Sequence, residues 1–299
     1  MRMKSIRIFS CFFAVSLSIL GSTTAFARLA EHNEPQIMAE AGIVMDIDSG
    51  TVIFGQNIHL PYAPAGIAKL LTALVVLENT ELDEMVTFSW GAVYDLPEGS
   101  GNKCSMEAGD MLSVEDCLYL LLLQSSNQAA NALAEYVCGS REAFAELMNR
   151  RAAQLGCSES RFINPSGLDD EGQFVSAYDM ALIAQAAYSN PELIKINSAR
   201  EYTIPATANN PKGVSFTSEH KLMTTDDTSG ELYCPGVIAG KPGYSLQAGN
   251  TLVTWAVRDG KNLVAVVLKG NMRQYYIDTR ELLEFGFAHY CTSALPELG

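Results

Sequence analysis

The sequence predicts an α+β fold in which both ends of the chain contribute strands to one antiparallel sheet. Strand-like patterns with turn residues occur at 41–54 and 250–268, and the apolar residues between them are spaced as in helices. Of the 299 residues, 48% are hydrophobic and 18% are charged, which is typical of a globular protein. We therefore expect a sheet with flanking helices and a central all-helical lobe over roughly residues 66–190.

The first 27 residues have the pattern of a secretory signal peptide. Three basic residues precede an apolar stretch at 8–20 that is too short to span a bilayer, and Ala25-Phe26-Ala27 is a small-x-small cleavage pattern. The alternative is an uncleaved membrane anchor. We expect removal of residues 1–27 and a secreted, extracytoplasmic domain over 28–299, with no C-terminal β domain and no stable membrane anchor after cleavage.

Two hairpins are predicted from strand and turn signals. The first covers 41–54 about a turn at 48–50, and the second covers 250–268 about Arg258-Asp259-Gly260-Lys261. Both hairpins are expected in the shared sheet.

The predicted helices have start and stop signals as well as apolar periodicity. Ser113 to Asp116 is a capping pattern, and Gly156 is a stop signal. An acidic run at 169–171 is expected in a solvated loop. The expected helices are 67–78, 118–123, 127–137, 140–155, 177–188 and 274–289.

The negative charge of the chain argues against two classes of partner. The formal net charge is −14 at pH 7, and removal of the basic N-terminal segment makes the remainder more acidic still. Nucleic acids and anionic lipids are bound by clustered Lys and Arg side chains, so neither is expected as a partner.

Common catalytic and metal-binding patterns are also missing from the sequence. None of His32, His59, His220 and His289 lies in a nucleophile–base motif, and no H-E-x-x-H or C-x-x-C pattern occurs. We therefore predict no metal site, no cofactor and no Ser-His-Asp hydrolase. The six cysteines after residue 27 either form disulfides or are buried free thiols, and the sequence leaves both open.

Three short motifs occur in order at wide spacing: Pro64-Ala65-Gly66-Ile67-Ala68-Lys69, Ser125-Ser126-Asn127 and Lys241-Pro242-Gly243. They resemble the S-x-x-K, S-x-N and K-[TS]-G motifs of the serine penicillin-recognising enzymes. The chain is most similar to the D-alanyl-D-alanine carboxypeptidases among the low-molecular-weight penicillin-binding proteins, a serine peptidase family of hydrolases. The resemblance runs from about residue 38 to residue 290.

The resemblance implies a role for each matching residue. Lys69 would take the proton of a serine nucleophile at position 66, Ser125 would relay protons, and Asn127 would bind the peptide backbone. Lys241 would attract the terminal carboxylate of the substrate. The implied substrate-binding residues are Lys241, Pro242, Gly243, Tyr244 and Ser245.

Three departures from the motifs predict that catalytic activity is lost. Gly66 has no hydroxyl for an acyl-enzyme, Ala68 stands where the family usually has threonine, and Pro242 stands where it has threonine or serine. Loss of the catalytic serine costs hydrolases about a millionfold in turnover. A β-lactamase is disfavoured further, because no glutamate is identified that would hold a deacylating water.

The sequence therefore predicts a secreted, inactive homologue that acts in peptidoglycan metabolism. It would bind D-Ala-D-Ala stem peptides or a cell-wall enzyme. The alternative is an active carboxypeptidase that trims the stem pentapeptide through an unrecognised nucleophile arrangement.

Overall fold

Antiparallel strands from both ends of the chain meet in one sheet. The computed structural model describes residues 34–290, so the predicted signal peptide, Cys11 and Cys291 lie outside the described residues. The strands are β1 (Ala41–Asp46), β2 (Val52–Gln56), β3 (Met85–Thr87), β4 (Met111–Ser113), β5 (Glu201–Ile204), β6 (Val214–Thr217), β7 (Val237–Ser245), β8 (Gly249–Arg258) and β9 (Lys261–Gly270). The main sheet has the order β2-β1-β9-β8-β7.

The pairing of β1 with β9 confirms the predicted α+β fold. Ile43 lies opposite Val266, so one strand from the N-terminal part of the chain and one from the C-terminal part are adjacent in the middle of the sheet. The predicted hairpin between β8 and β9 is also confirmed. Asp259 and Gly260 both have positive φ, 52° and 74°, as a tight two-residue turn between twisted strands requires.

Both faces of the main sheet are buried, because successive side chains of a strand point to opposite faces. In β9, Val264 and Val266 belong to the larger hydrophobic core, whereas Ala265 and Val267 belong to a second core. This accounts for the nearly continuous apolar sequence of the strand, which differs from the alternation expected of a sheet with one solvated face.

The helices are α1 (Lys69–Leu77), α2 (Trp90–Tyr94), α3 (Val114–Leu123), α4 (Asn127–Cys138), α5 (Arg141–Gln154), α6 (Ala177–Ala187), α7 (Pro191–Asn197), α8 (Lys221–Thr224) and α9 (Gln274–Ala288). The predicted caps are present. Ser113 and Asp116 form a reciprocal capping box at the start of α3, and Gly156 has a φ of 89° just after α5.

Helices α1 to α7 all lie between β2 and β7 in the chain. This part also contains the short β3–β4 and β5–β6 pairs, which are absent from the sequence-based prediction. Helix α9 packs against β1, β8 and β9, and α6 also contacts these strands. The second core contains Leu282 and Leu283 of α9, and the larger core contains Ile183 of α6.

The first predicted helix, 67–78, begins differently from the prediction. Residues Ala65–Ala68 form a 3₁₀ turn, and the α-helix starts only at Lys69. Every residue from position 65 to position 76 is buried, so burial rather than helix propensity determines this segment.

The described cysteines are free thiols, which settles the alternative that the sequence left open for them. They are Cys104, Cys117, Cys138, Cys157 and Cys234. Burial raises the pKa of Cys234 to about 12, as expected of an unreactive thiol in a core.

Within residues 34–290 we find no helix with the length and apolar character that a membrane crossing requires.

Candidate functional site

A cleft of about 580 Å³ opens where the start of α1, the loop between α3 and α4, and β7 come together. It contains eight of the nine positions to which the resemblance assigns a catalytic or substrate-binding role: Gly66, Lys69, Ser125, Asn127, Pro242, Gly243, Tyr244 and Ser245. The ninth, Lys241, is fully buried beside Pro242. The structure thus brings the three motifs to one place.

Gly66 lies in the 3₁₀ turn that precedes α1. Positions 66 and 69 are three residues apart, and residues with this spacing are aligned along a 3₁₀ turn, so both positions face the cleft. The preceding residue, Ala65, has a φ of 49°, a left-handed conformation that strains a side chain with a Cβ. The strain therefore lies immediately beside Gly66.

Strand β7 lies close against Gly66. A Cβ at position 66 would be 3.0 Å from the carbonyl oxygen of Pro242 and 3.0 Å from Oγ of Ser125. A Cβ at Gly243 would be 2.5 Å from the backbone nitrogen of Gly66. Glycine at 243 therefore permits the close approach of the two segments, and a side chain at position 66 would be tightly confined.

Lys69 is almost completely buried, with 1% of its surface exposed. Its Nζ donates to Oδ1 of Asn127 at 2.8 Å and to the carbonyl oxygen of Ser166 at 2.5 Å. Burial lowers the pKa of Lys69 well below its usual value, and the positive charge of Lys241 lowers it further. A lysine in this environment loses its proton more readily and is suited to act as a base.

The loop before α4 positions Ser125 and Asn127. Ser126 is the N-cap of α4, and its Oγ accepts from the backbone N–H of Ala129 at 3.1 Å. Ser125 has a φ of 58°, which turns the chain sharply at the end of α3. Asn127 is then the first residue of the helix, with its side chain directed to Lys69.

Pro242 lies on β7, which forms an edge of the main sheet, as its lack of an N–H requires. The neighbouring Lys241 donates from Nζ to the carbonyl oxygen of Pro242 at 2.9 Å. Burial lowers the pKa of Lys241 to about 8. The side chain of Lys241 is therefore held behind the strand, close to the cleft but not at its surface.

The side chain of Ser245 is already hydrogen-bonded to a residue from another part of the chain. Its Oγ donates to Oδ1 of Asp169 at 2.5 Å, and the N–H of Gln247 donates to Oδ2 of the same carboxylate at 3.2 Å. Asp169 lies exposed in a loop, as predicted for the acidic run at 169–171. Its carboxylate also joins this loop to the end of β7, a contact that was not predicted.

Lys103, Glu219 and Lys221 also line the cleft, and no sequence motif identified them. Nζ of Lys103 lies 2.8 Å from Oε1 of Glu219. Together with Lys69, the lining contains three lysines and one glutamate, although the whole chain has a net charge of −14. The cleft is thus cationic in an acidic protein, which favours an anionic ligand.

His220 is buried behind Lys241. Its Nε2 lies 2.9 Å from Oγ1 of Thr254, and its Nδ1 has no hydrogen-bond partner among the described residues. Burial lowers the pKa of His220 to about 3, with a further contribution from the charge of Lys241. His220 is therefore held neutral in the folded protein.

This burial predicts a pH dependence of stability. Between pH 6.5 and about 3 the unfolded chain binds a proton at His220 that the folded chain does not, so stability falls as the pH falls. Between pH 7 and pH 4 the wild type should lose about 3 kcal/mol more than His220→Gln in urea unfolding. His59→Gln, at an exposed histidine, is the control and should follow the wild type. Parallel curves for the wild type and His220→Gln would contradict the prediction.

Within the described part of the chain no group of three or more His, Cys, Asp or Glu side chains is arranged to hold a metal ion.

Residues 28–272 match the model of a family described as D-alanyl-D-alanine carboxypeptidase. The curated relative DacF of Bacillus subtilis, a D-alanyl-D-alanine carboxypeptidase, is 28% identical over 284 residues, which cover 91% of this chain and 68% of DacF. DacB2 of Mycobacterium tuberculosis, with the same described activity, is 31% identical over 262 residues, which cover 85% of this chain and 84% of DacB2.

Solved structures give the same result for the fold. A D-alanyl-D-alanine carboxypeptidase of Mycobacterium tuberculosis is 29% identical and superposes with a TM-score of 0.75, over 85% of this chain and 93% of the other. The Streptomyces K15 DD-transpeptidase is 24% identical, with a TM-score of 0.76 over 85% of this chain and 99% of the other, and supports the fold alone.

Proposed function

Since the chain belongs to the D-alanyl-D-alanine carboxypeptidase family, we propose that it is a secreted, non-catalytic member that binds D-Ala-D-Ala stem peptides. Its relatives act in peptidoglycan metabolism. Membership of this family also supports a single domain that begins at residue 28, with the helical lobe at roughly 66–190 inserted between its strands. A cell-wall enzyme is a further partner consistent with this role.

The observation that carries the proposal is the absence of a hydroxyl at position 66. An acyl-enzyme requires an oxygen nucleophile beside the basic lysine, and Gly66 has no side chain. Thr72, on the same helix, cannot substitute, because it is buried and its Oγ1 donates to the carbonyl oxygen of Pro165 at 2.7 Å.

Support for peptide binding comes from the charge of the cleft. Lys103 and Lys221 line it, and Lys241 lies behind its wall. A peptide that ends in a free carboxylate would be attracted by this field, and an amidated peptide would lose most of that attraction.

One observation favours the alternative of residual activity. Oγ of Ser125 lies 3.0 Å from where a Cβ at position 66 would be, and the buried Lys69 keeps a lowered pKa. Ser125 is therefore the side chain that would act as nucleophile in an active enzyme. Its place on the loop between α3 and α4, outside the motif that contains Lys69, disfavours this.

Calorimetry and a D-alanine release assay separate the two functions. We expect an acetylated peptide ending in D-Ala-D-Ala to bind with a dissociation constant of about 1 mM, and no D-alanine to appear above the rate without protein. The control is the same peptide with a C-terminal amide, which should bind at least about tenfold more weakly. Release of D-alanine that is lost in Ser125→Ala would establish the alternative.

A further inference from the structure

Lys103 and Glu219 form an ion pair across the cleft, between segments far apart in the chain. Lys103 belongs to a 3₁₀ turn between α2 and β4, and Glu219 lies between β6 and α8. Their Nζ and Oε1 atoms are 2.8 Å apart, and both residues line the cleft. A ligand that enters the cleft therefore encounters Lys103 and Glu219 already paired with each other.

Glu219 is held in place through its backbone. Its N–H donates to the carbonyl oxygen of Leu123 at 3.1 Å, and its own carbonyl oxygen accepts from the hydroxyl of Tyr276 at 3.2 Å. The backbone of Glu219 is thus tied to the end of α3 and to the first turn of α9. Only its side chain and that of Lys103 need to move for the pair to separate.

The pair can be separated by a competing ion. The side chains of Lys103 and Glu219 are 45% and 34% exposed, so water reaches both. Ion pairs with this exposure contribute little to stability and exchange partners readily. Positive φ values of 61° at Cys104 and 51° at Ser105 hold the turn that presents Lys103.

Among the described residues that line the cleft, Glu219 alone carries a carboxylate. Its charge acts on the same lysines that make the cleft attractive to anions, Lys69 and Lys241 among them. The carboxylate of an incoming peptide is repelled by this charge and competes with it for Lys103.

We propose that Glu219 is a built-in competitor of the ligand carboxylate, and that its pair with Lys103 sets how tightly the cleft binds anionic peptide ends. This inference rests on the proposed function, because it concerns the regulation of the same site. Glu219 is accordingly a specificity-determining residue, and release of Lys103 from Glu219 makes this lysine available to a ligand carboxylate.

The two partners are expected to change affinity in opposite directions. Glu219→Gln removes the competing charge at constant size, so the D-Ala-D-Ala peptide should bind about tenfold more tightly. Lys103→Gln removes a cation and leaves Glu219 free to pair with the other lysines, so binding should weaken about tenfold or more. A contact with a purely structural role would change the affinity in the same direction in both variants.

The experiment is calorimetry of the full chain with the free-acid and amidated D-Ala-D-Ala peptides. Glu115→Gln is the matched control, because Glu115 and Lys195 form a pair of 2.9 Å with 31% and 57% exposure away from the cleft. The gain in Glu219→Gln should appear only with the free acid. Thermal melting of each variant verifies that it is folded.

The outcomes separate this inference from the proposed function. If the wild type binds the free acid and Glu219→Gln binds it equally, or gains equally with the amide, the competitor role is overturned and peptide binding stands. If only Glu219→Gln binds, the competitor role stands and peptide binding by the natural chain is overturned. If neither protein binds at 10 mM peptide, about the weakest affinity such a measurement resolves, both are overturned.

Discussion

Gly66→Ser is expected to remain unlabelled by a fluorescent penicillin under conditions that fully label an active penicillin-binding protein. The substitution restores the hydroxyl, but Ala68 and Pro242 still depart from the family motifs. A Cβ at position 66 would also lie 3.0 Å from the carbonyl oxygen of Pro242, so the two segments must separate by a few tenths of an ångström to accommodate the serine. We expect acylation at least about a thousandfold slower than in an active enzyme, because catalytic groups that act as a unit are not restored singly.

The triple variant Gly66→Ser, Ala68→Thr, Pro242→Thr is the matched comparison. It restores all three motif positions, and we expect it to regain a covalent band that survives denaturation. The wild type should show no penicilloyl adduct on any residue by mass spectrometry of the intact chain. Stoichiometric labelling of the wild type would show that the chain is not a pseudoenzyme. Full labelling of the single variant would show instead that the rest of the site is intact and that only the hydroxyl at position 66 is lacking.

Lys241→Met should raise the free energy of unfolding at pH 7 by about 2 kcal/mol. Burial lowers the pKa of Lys241 from 10.5 to about 8, so at pH 7 the folded protein holds a charge that it disfavours. Methionine is similar in length and has no charge to bury. The loss of the bond to Pro242 offsets about 1 kcal/mol of the gain.

The stabilisation by Lys241→Met should depend on pH. Above pH 8 the folded wild type releases the proton while the unfolded chain keeps it until pH 10.5, so wild-type stability rises and the gain should shrink. Lys212→Met, at an exposed lysine, is the control and should change little at any pH. Destabilisation by Lys241→Met at pH 7 would show that the charge is stabilised in the fold. The same variant should lose most of its affinity for the peptide carboxylate.

The fold could be predicted from sequence largely because its strongest signals are local. The Asp259-Gly260 turn and the cap at Ser113 specify structure within a few residues, and both appear as expected. The start of α1 could not be predicted in this way, because the turn at Ala65–Ala68 is imposed by burial against β7. The β5–β6 pair was missed although Asn209-Asn210-Pro211 between the strands is a turn signal, because each strand has only four residues.

The candidate site could likewise be predicted where motifs mark its residues. It could not be predicted where only tertiary contacts bring residues together. Family motifs identified Lys69, Ser125 and Asn127, which the structure brings together in the cleft. Glu219 and Lys103 were missed because they belong to no motif and are 116 residues apart, so only the folded chain pairs them. The contact of Asp169 with Ser245 was missed for the same reason.

The position of Pro242 also bears on how the protein behaves when it is concentrated. The outer edge of a sheet is a template on which a second copy can add its own strand, and this is a common first step of aggregation. Along β7 that template is interrupted, because residue 242 offers no N–H and the Ala65–Ala68 turn covers the strand at Gly243. The proline that removes a hydroxyl from the cleft thus also guards the chain against self-association through this strand.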